Sequence, residues 1–175
     1  LEKGILPPDA VDRVIQRYEA DTGPMVGVRA VARAWVDSAY KQRLLEDPRG
    51  ALKEFGLDYE ALRVVENTPA VHNVVVCTLC SCYPWAVLGL PPTWYKMPAY
   101  RSRTVAEPRK VLAEFGLTIP ESREIRVWDS SAELRYMVLP ERPAGSQAMG
   151  EAALIPLITR DALIGVADVR LPSPA

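Results

Sequence analysis

The sequence predicts an α+β fold from three observations. The first third is patterned at helical spacing, β-branched runs begin only after Gly56, and 11 of the 16 prolines fall at or after Pro84, cutting the second half into short elements. The chain has 175 residues, 49% hydrophobic and 25% charged, which supplies one buried core and excludes a disordered polymer. Its formal charge of −1 comes from 21 basic and 22 acidic residues, so no cationic excess exists to drive non-specific nucleic-acid binding. No apolar run approaches the roughly 20 residues of a membrane helix. No charged-then-apolar signal peptide opens the chain, so the cytosol is the expected compartment. The sequence starts on Leu1 rather than Met, which leaves room for a short preceding piece.

Taken in order, Pro7-Pro8-Asp9 is a helix start, followed by Val11, Val14, Ile15 and Tyr18 on one face and stopped by Gly23-Pro24. Val28, Val31, Ala32 and Trp35 repeat the stripe. Asp37-Ser38 caps a third helix carrying Leu44 and Leu45; Pro48 breaks it, and Leu52 and Phe55 lead to a stop at Gly56. Residues 1–45 thus read as a helical N-terminal arm with no strand to pair, able to fold back or to clasp another chain, and residues 46–175 as the metal-binding α/β domain. Arg63-Val64-Val65-Glu66 is a short strand, and Asn73-Val74-Val75-Val76 is an apolar run of the buried-strand kind. Residues 84–98 read as a Pro- and Trp-rich loop. A helix is expected at about 107–115, strands at about 124–128 and 134–139, a loop over 140–150, a helix around 151–160 kinked or delayed by Pro156, and a last strand over 163–169. Residues 48–57 and 108–117 echo each other as Pro-started, Gly-stopped helices, which common capping chemistry explains without an internal repeat.

The buried strand leads straight into Cys77-Thr78-Leu79-Cys80-Ser81-Cys82, which holds every cysteine of the chain. Three clustered thiols make a poor disulfide framework and, in a cytosolic setting, favour metal or redox chemistry. A closed zinc site or a four-cysteine iron–sulfur cluster lacks a fourth ligand, since His72 lies before the strand that carries the chain away. The spacing does permit a ligand set that uses the backbone. Cys82 can chelate through its sulfur and its amide, the Ser81 and Cys82 amides close a second ring, and the Cys80 sulfur closes a third. These four donors fit one plane, Cys77 can supply an axial sulfur, and one position stays open. Ionising a peptide nitrogen demands a strongly acidic ion, for which low-spin trivalent cobalt or iron fits better than zinc or magnesium. A redox pair of Cys77 and Cys80 and a set of inert buried thiols are the alternatives.

The run from Val74 through the cysteines to Tyr83-Pro84-Trp85, followed by Leu88-Gly89-Leu90-Pro91-Pro92-Thr93-Trp94-Tyr95-Lys96, closely resembles the α subunit of nitrile hydratase. The likeness continues through Tyr100-Arg101-Ser102-Arg103, Glu107-Pro108-Arg109, Glu124-Ile125-Arg126-Val127-Trp128-Asp129, Arg135-Tyr136-Met137-Val138-Leu139-Pro140 and Arg142-Pro143-Ala144-Gly145. It also takes in Thr159-Arg160-Asp161, Ile164-Gly165-Val166, Gly23-Pro24-Met25 and Ala32-Arg33-Ala34-Trp35-Val36-Asp37, so it spans nearly the whole chain. The resemblance implies a layered α/β domain with the metal claw on a loop after the buried strand. The implied ligands are Cys77, Cys80, Ser81 and Cys82, and the implied cofactor is non-corrin cobalt(III), since Thr78 is the cobalt-type residue, with iron(III) second. It further implies Cys80 oxidised to sulfinic acid and Cys82 to sulfenic acid, with Cys77 left a thiolate. Catalytic roles fall to Cys82, Cys80 and Ser81, and Trp85 matches a position lining the substrate pocket. The reaction implied is hydration of a small-molecule nitrile to an amide in a heteromer with a β subunit, one chain or split, whose arginines complete the site. Rival readings are the cobalt-bearing subunit of thiocyanate hydrolase, an unloaded assembly form bound by a cobalt-loading accessory protein, and a thiol oxidoreductase.

Among the remaining residues, Trp35, Trp94 and Trp128 read as core or interface aromatics and Tyr83 as a packing residue. His72 reads as a capped or surface residue before the strand, and Ser81 mainly as an amide donor. Arg101, Arg103 and Arg109 read either as partners of carboxylates across an interface or as a solvated basic face.

Overall fold

The computed structural model describes Arg13, residues 25–80 and residues 82–172. Apart from Arg13, the helix expected around residues 11–18 lies outside the described residues. From Met25 onward, short polar caps and prolines divide the chain. Helix α1 (Val26–Val36) ends at Asp37, whose carboxylate accepts the Tyr40 N–H at 2.9 Å and so starts α2 (Ser38–Glu46). Asp47 repeats the device for α3 (Pro48–Lys53), taking the Gly50 N–H at 3.0 Å, with Pro48 in the first turn where no N–H is needed. Then follow β1 (Leu62–Glu66), β2 (Val71–Val76), α4 (Trp85–Leu88), a 3-10 turn (Thr93–Lys96), α5 (Pro98–Ala106), α6 (Pro108–Glu114), β3 (Glu124–Asp129) and β4 (Arg135–Leu139). The chain finishes with α7 (Glu151–Leu154), a 3-10 turn (Ile155–Leu157) and α8 (Arg160–Ile164).

The echo seen in the sequence is one capping motif used twice. After α3, the Gly56 N–H reaches Lys53 O at 2.9 Å and the Leu57 N–H reaches Leu52 O at 3.2 Å; after α6, Gly116 reaches Ala113 O and Leu117 reaches Leu112 O, both at 2.9 Å. Gly56 and Gly116 sit at φ +78° and +81°, where a side chain is strained.

Several expectations need correction. Residues 84–98 are not a plain loop, because α4 and the 3-10 turn lie there. The helix expected over 151–160 stops at Leu154, and Pro156 sits in a separate 3-10 turn. The expected strand over 163–169 does not form. Thr159 Oγ1 accepts the Ala162 N–H at 3.2 Å and starts α8, which Gly165 ends in a left-handed turn at φ +91°. An apolar run alone does not separate a buried strand from a buried helical turn; the cap and the glycine do. Helix α5 has no counterpart among the expected elements, since only Tyr100 and Thr104 of its nine residues are buried.

The strands form two parallel pairs. β1 pairs with β4 in a register from Leu62↔Arg135 to Glu66↔Leu139, and β2 pairs with β3 from Val71↔Glu124 to Val76↔Asp129. Parallel pairing buries strands on both faces, and β2 is buried from His72 onward. Val74, Val75 and Val76 join Met137, Val138 and Leu139 in one core with Val28, Val31 and Ala32 of α1 and Tyr40 and Leu44 of α2. Each fully buried Val, Leu or Met there contributes about 1.5–3 kcal/mol relative to exposure.

His72 is also corrected: it lies within β2 and is fully buried. Burial lowers its pKa, outweighing the Gly165 carbonyl, so the ring is held neutral. Nε2–H donates to Gly165 O at 2.8 Å, and Nδ1 accepts from Asn67 Nδ2 at 3.4 Å. Asn67 Oδ1 accepts from the Asn73 backbone N–H (2.8 Å) and from Asn73 Nδ2 (3.0 Å), and Trp128 Nε1 donates to Asn73 Oδ1 at 2.8 Å. These bonds tie the β1–β2 turn, β2, β3 and the end of α8 together. They also satisfy the two polar side chains in an otherwise apolar strand.

Candidate metal centre

The register Val76↔Asp129 brings the ends of β2 and β3 side by side, and the cysteine loop leaves β2 at that point. Cys77 is the first residue beyond the strand and is fully buried; Cys80 is exposed and Cys82 half-buried, all three as free thiols. Their sulfurs lie within 4.8 Å of one another. Cys77 Sγ is 3.6 Å from Cys80 Sγ, and Cys80 Sγ is 2.7 Å from Cys82 Sγ. Ser81 lies outside the described residues.

The loop backbone turns inward on its own sulfurs. The Cys80 N–H donates to Cys77 Sγ at 3.3 Å, and the Cys82 N–H also faces that sulfur. Burial pushes the Cys77 thiol up, but the N–H groups of Cys80, Cys82 and Leu79 and the Cys80 side chain together bring it below the ordinary thiol value. The Cys82 thiol moves the other way, to about 12, because it hydrogen-bonds to Cys80, is partly buried and faces the charge of Cys77. Three soft donors this close, one of them stabilised as thiolate by backbone amides, fit a thiophilic transition metal and suit magnesium or calcium poorly.

Side chains from distant elements fix the loop from outside. Asp129 at the end of β3 accepts from Thr78 N–H (2.9 Å) and Thr78 Oγ1 (2.5 Å). Arg101 of α5 donates from Nε to Cys77 O at 2.9 Å and from Nη2 to Thr78 O at 2.5 Å. The hydroxyl of Tyr95 donates to Cys82 O at 3.1 Å, and that of Tyr100 to Val75 O at 2.6 Å. Burial raises the pKa of both phenols, which keeps them as donors. Tyr83, buried and edge-on to Tyr95 with ring centres 5.0 Å apart, packs beneath the loop. Sequence reasoning missed Arg101, Asp129 and Tyr95 as loop supports; the one signal available was two strands each ending beside polar residues, and it becomes readable only once their pairing is known.

The other singled-out residues fall into place. Trp85 opens α4, three positions past Cys82, and is 66% exposed; Leu79 in the loop is 87% exposed, so the loop and the helix that follows it leave two large apolar side chains open to solvent. Trp94 packs edge-on between Tyr100 and Phe115 at 4.8 and 4.7 Å, and Trp35 donates its indole N–H to Pro140 O at 2.9 Å, so both serve packing. Arg103 pairs within the chain with Glu107 and Glu114, and Arg109 donates to the carbonyls of Ile119, Pro120 and Arg123. The expected basic face is therefore spent inside this chain. Among the described residues no helix is long and apolar enough to cross a membrane.

Comparison with known proteins agrees with this site. Residues 1–167 match the family described as nitrile hydratase, alpha chain. The chain is 57% identical to the low-molecular-weight cobalt-containing nitrile hydratase subunit alpha of Rhodococcus rhodochrous, over all of this chain and 86% of that one. It is 44% identical to the thiocyanate hydrolase subunit gamma of Thiobacillus thioparus, over 99% of this chain and 76% of that one. Among solved structures it resembles a double mutant of the iron-type nitrile hydratase of Comamonas testosteroni Ni1, with a TM-score of 0.85, 42% identity and coverage of 99% of this chain and 89% of that one. With the thiol cluster at the end of β2 and a match across nearly its whole length, this chain belongs to the nitrile hydratase α-chain family.

Proposed function

We propose that the chain is the metal-bearing subunit of a cobalt nitrile hydratase, adding water across a nitrile to give the corresponding amide in company with a β subunit. The observation that carries this reading is the convergence of all three thiols at the end of β2. Cys77, Cys80 and Cys82, with the backbone amides of Ser81 and Cys82, would hold the metal. Cobalt is favoured by Thr78 in the motif and by the cobalt-containing relative at 57% identity. Bound there, the ion supplies the Lewis acidity that makes a nitrile carbon electrophilic.

The chain's own residues supply the rest. Cys77, buried and bonded by amides, is the sulfur protected from oxidants, whereas Cys80 and Cys82 are open to them, which supports sulfinic and sulfenic acid at those two positions. An oxygen on Cys82 takes the proton of a water whose oxygen bonds to the nitrile carbon while a C≡N π bond breaks and nitrogen is protonated. Alternatively the Cys82 oxygen itself bonds to the carbon, and a water then breaks its S–O bond and restores the oxygen on sulfur. Either route gives an imidic acid that tautomerises to the amide. Trp85 offers an exposed apolar face beside the claw for the substrate's organic group. Leu79 and Trp85 leave apolar side chains uncovered at and beside the cysteine loop, which supports a covering partner surface, with the β subunit as one wall of the site. Because α1 and α2 share one core with the strands, the boundary at residue 45 does not separate two units, and the arm reading is kept for residues 1–24 alone. Deleting them should weaken subunit assembly, and unchanged assembly refutes the arm.

The experiment is to co-produce the chain with its β partner in cobalt medium and assay a small aliphatic nitrile. Amide release, cobalt near one per αβ pair and a mass gain of about 48 Da on the cysteine peptide are expected. Carbonyl sulfide from thiocyanate with no amide from nitriles would move the assignment to the thiocyanate hydrolase reading, which the 44% identical relative makes the specific rival. A cobalt-free complex with a reversible Cys77–Cys80 disulfide would sink both.

A further inference from the structure

Arg101 of α5 is aimed at the metal loop, and among the described residues it is bound to neither a carboxylate nor a sulfur. Its Nε and Nη2 each donate to one of two consecutive carbonyls, Cys77 O at 2.9 Å and Thr78 O at 2.5 Å. A guanidinium edge that spans neighbouring carbonyls turns both to the same side, a constraint that a single-point ammonium does not impose. The opposite polarity of the same stretch is held by Asp129, which takes the Thr78 N–H and hydroxyl. With its carbonyls gripped by a cation and its N–H by an anion, the Cys77–Thr78 stretch is fixed from both sides. The next turn can then direct the Cys80 N–H onto Cys77 Sγ at 3.3 Å. Tyr100, one residue before Arg101 on the same helix, donates to Val75 O at 2.6 Å, so α5 anchors both the end of β2 and the first residues of the loop.

We propose that Arg101 is a positioning residue for the metal centre: through the carbonyls of Cys77 and Thr78 it sets the claw in its ligating shape before metal arrives. The proposal rests on the reading of the three thiols as metal ligands. It assigns Arg101 no contact with substrate or with a sulfur.

The test uses the αβ complex carrying Arg101→Lys or Arg101→Gln, with Arg103→Lys as the control, since among the described residues Arg103 pairs with Glu107 and Glu114 and not with the loop. Two quantities are read: cobalt retained per αβ pair against a competing chelator, and hydrogen-exchange protection of residues 77–80 in the metal-free complex. Expected is a loss of about tenfold in cobalt affinity for both Arg101 variants, the scale usual for groups that orient metal ligands. Exchange protection should fall by a similar factor at residues 77–80 and stay unchanged in β2, while Arg103→Lys behaves as wild type. If Arg101→Gln does not assemble, Arg101→Lys keeps the charge and reads the fork geometry alone. Wild-type cobalt retention and wild-type protection in the Lys variant overturn the proposal and leave the metal reading intact. A wild-type complex that takes up no cobalt overturns the metal reading instead, and the exchange measurement still decides whether Arg101 orders the loop.

Discussion

Gly165 offers the most discriminating test of how the metal loop is supported. It ends α8 at φ +91°, and an added Cβ would lie 2.1 Å from Asn73 O and 2.9 Å from Val74 Cα. Both obstacles are backbone of the buried strand β2, which cannot rotate away as a side chain would. Gly56 supplies the internal control, with φ +78° and nothing within 4 Å of the same added atom. Gly56→Ala therefore isolates the left-handed backbone penalty, about 1–2 kcal/mol. Gly165→Ala adds overpacking against β2, about 1–3 kcal/mol more, giving about 2–5 kcal/mol in all. The gain from stiffening the unfolded chain is common to both variants and cancels in the difference. The larger loss should also reach the site, because a displaced Gly165 carbonyl gives up its 2.8 Å bond from His72 and moves the strand that delivers Cys77. Urea unfolding of the two variants beside wild type measures the gap, and cobalt content reads the effect on the loop. Equal stability losses in the two variants would refute the argument that α8 and β2 meet through bare backbone.

The remaining predictions concern the metal, the substrate and pH. Cys77→Ser removes the buried sulfur whose ionisation the loop amides favour, and cobalt in the purified complex should fall below about a tenth of wild type by elemental analysis. Trp85→Ala should raise KM for an aliphatic nitrile about tenfold with kcat little changed, as expected when binding shared by ground and transition states is lost; a fall in kcat at constant KM would remove Trp85 from the substrate surface. His72 has a folded pKa below its ordinary 6.5, so the unfolded chain takes up a proton that the buried ring refuses. Its contribution to stability is complete above pH 6.5 and is lost as pH falls through the depressed folded value. Arg123, Asp168 and Glu141 face the same ring and are present in wild type and variant alike. Urea midpoints between pH 7.5 and 5 should therefore fall more steeply for wild type than for His72→Gln, and parallel curves would show that the ring does not titrate on unfolding.

What the sequence determined by itself was whatever short-range chemistry controls. Asp37 and Asp47 start their helices through side chains three residues from the N–H groups they cap, and Gly56 and Gly116 stop theirs because a left-handed residue is needed there. The cysteine spacing belongs to this class as well, since all three sulfurs sit within six residues and any compact turn brings them together. Tertiary structure alone decided the pairing of β2 with β3, which puts Asp129 beside Thr78 across 51 residues, and the packing of α5, which brings Arg101 to the Cys77 carbonyl. It likewise buried His72 under Gly165, 93 residues away, and made a helical turn of an apolar run that equally suits a strand. The reason is physical: caps and turns act through neighbours along the chain, whereas burial and the orientation of the cysteine loop depend on which distant surfaces exclude water from one another.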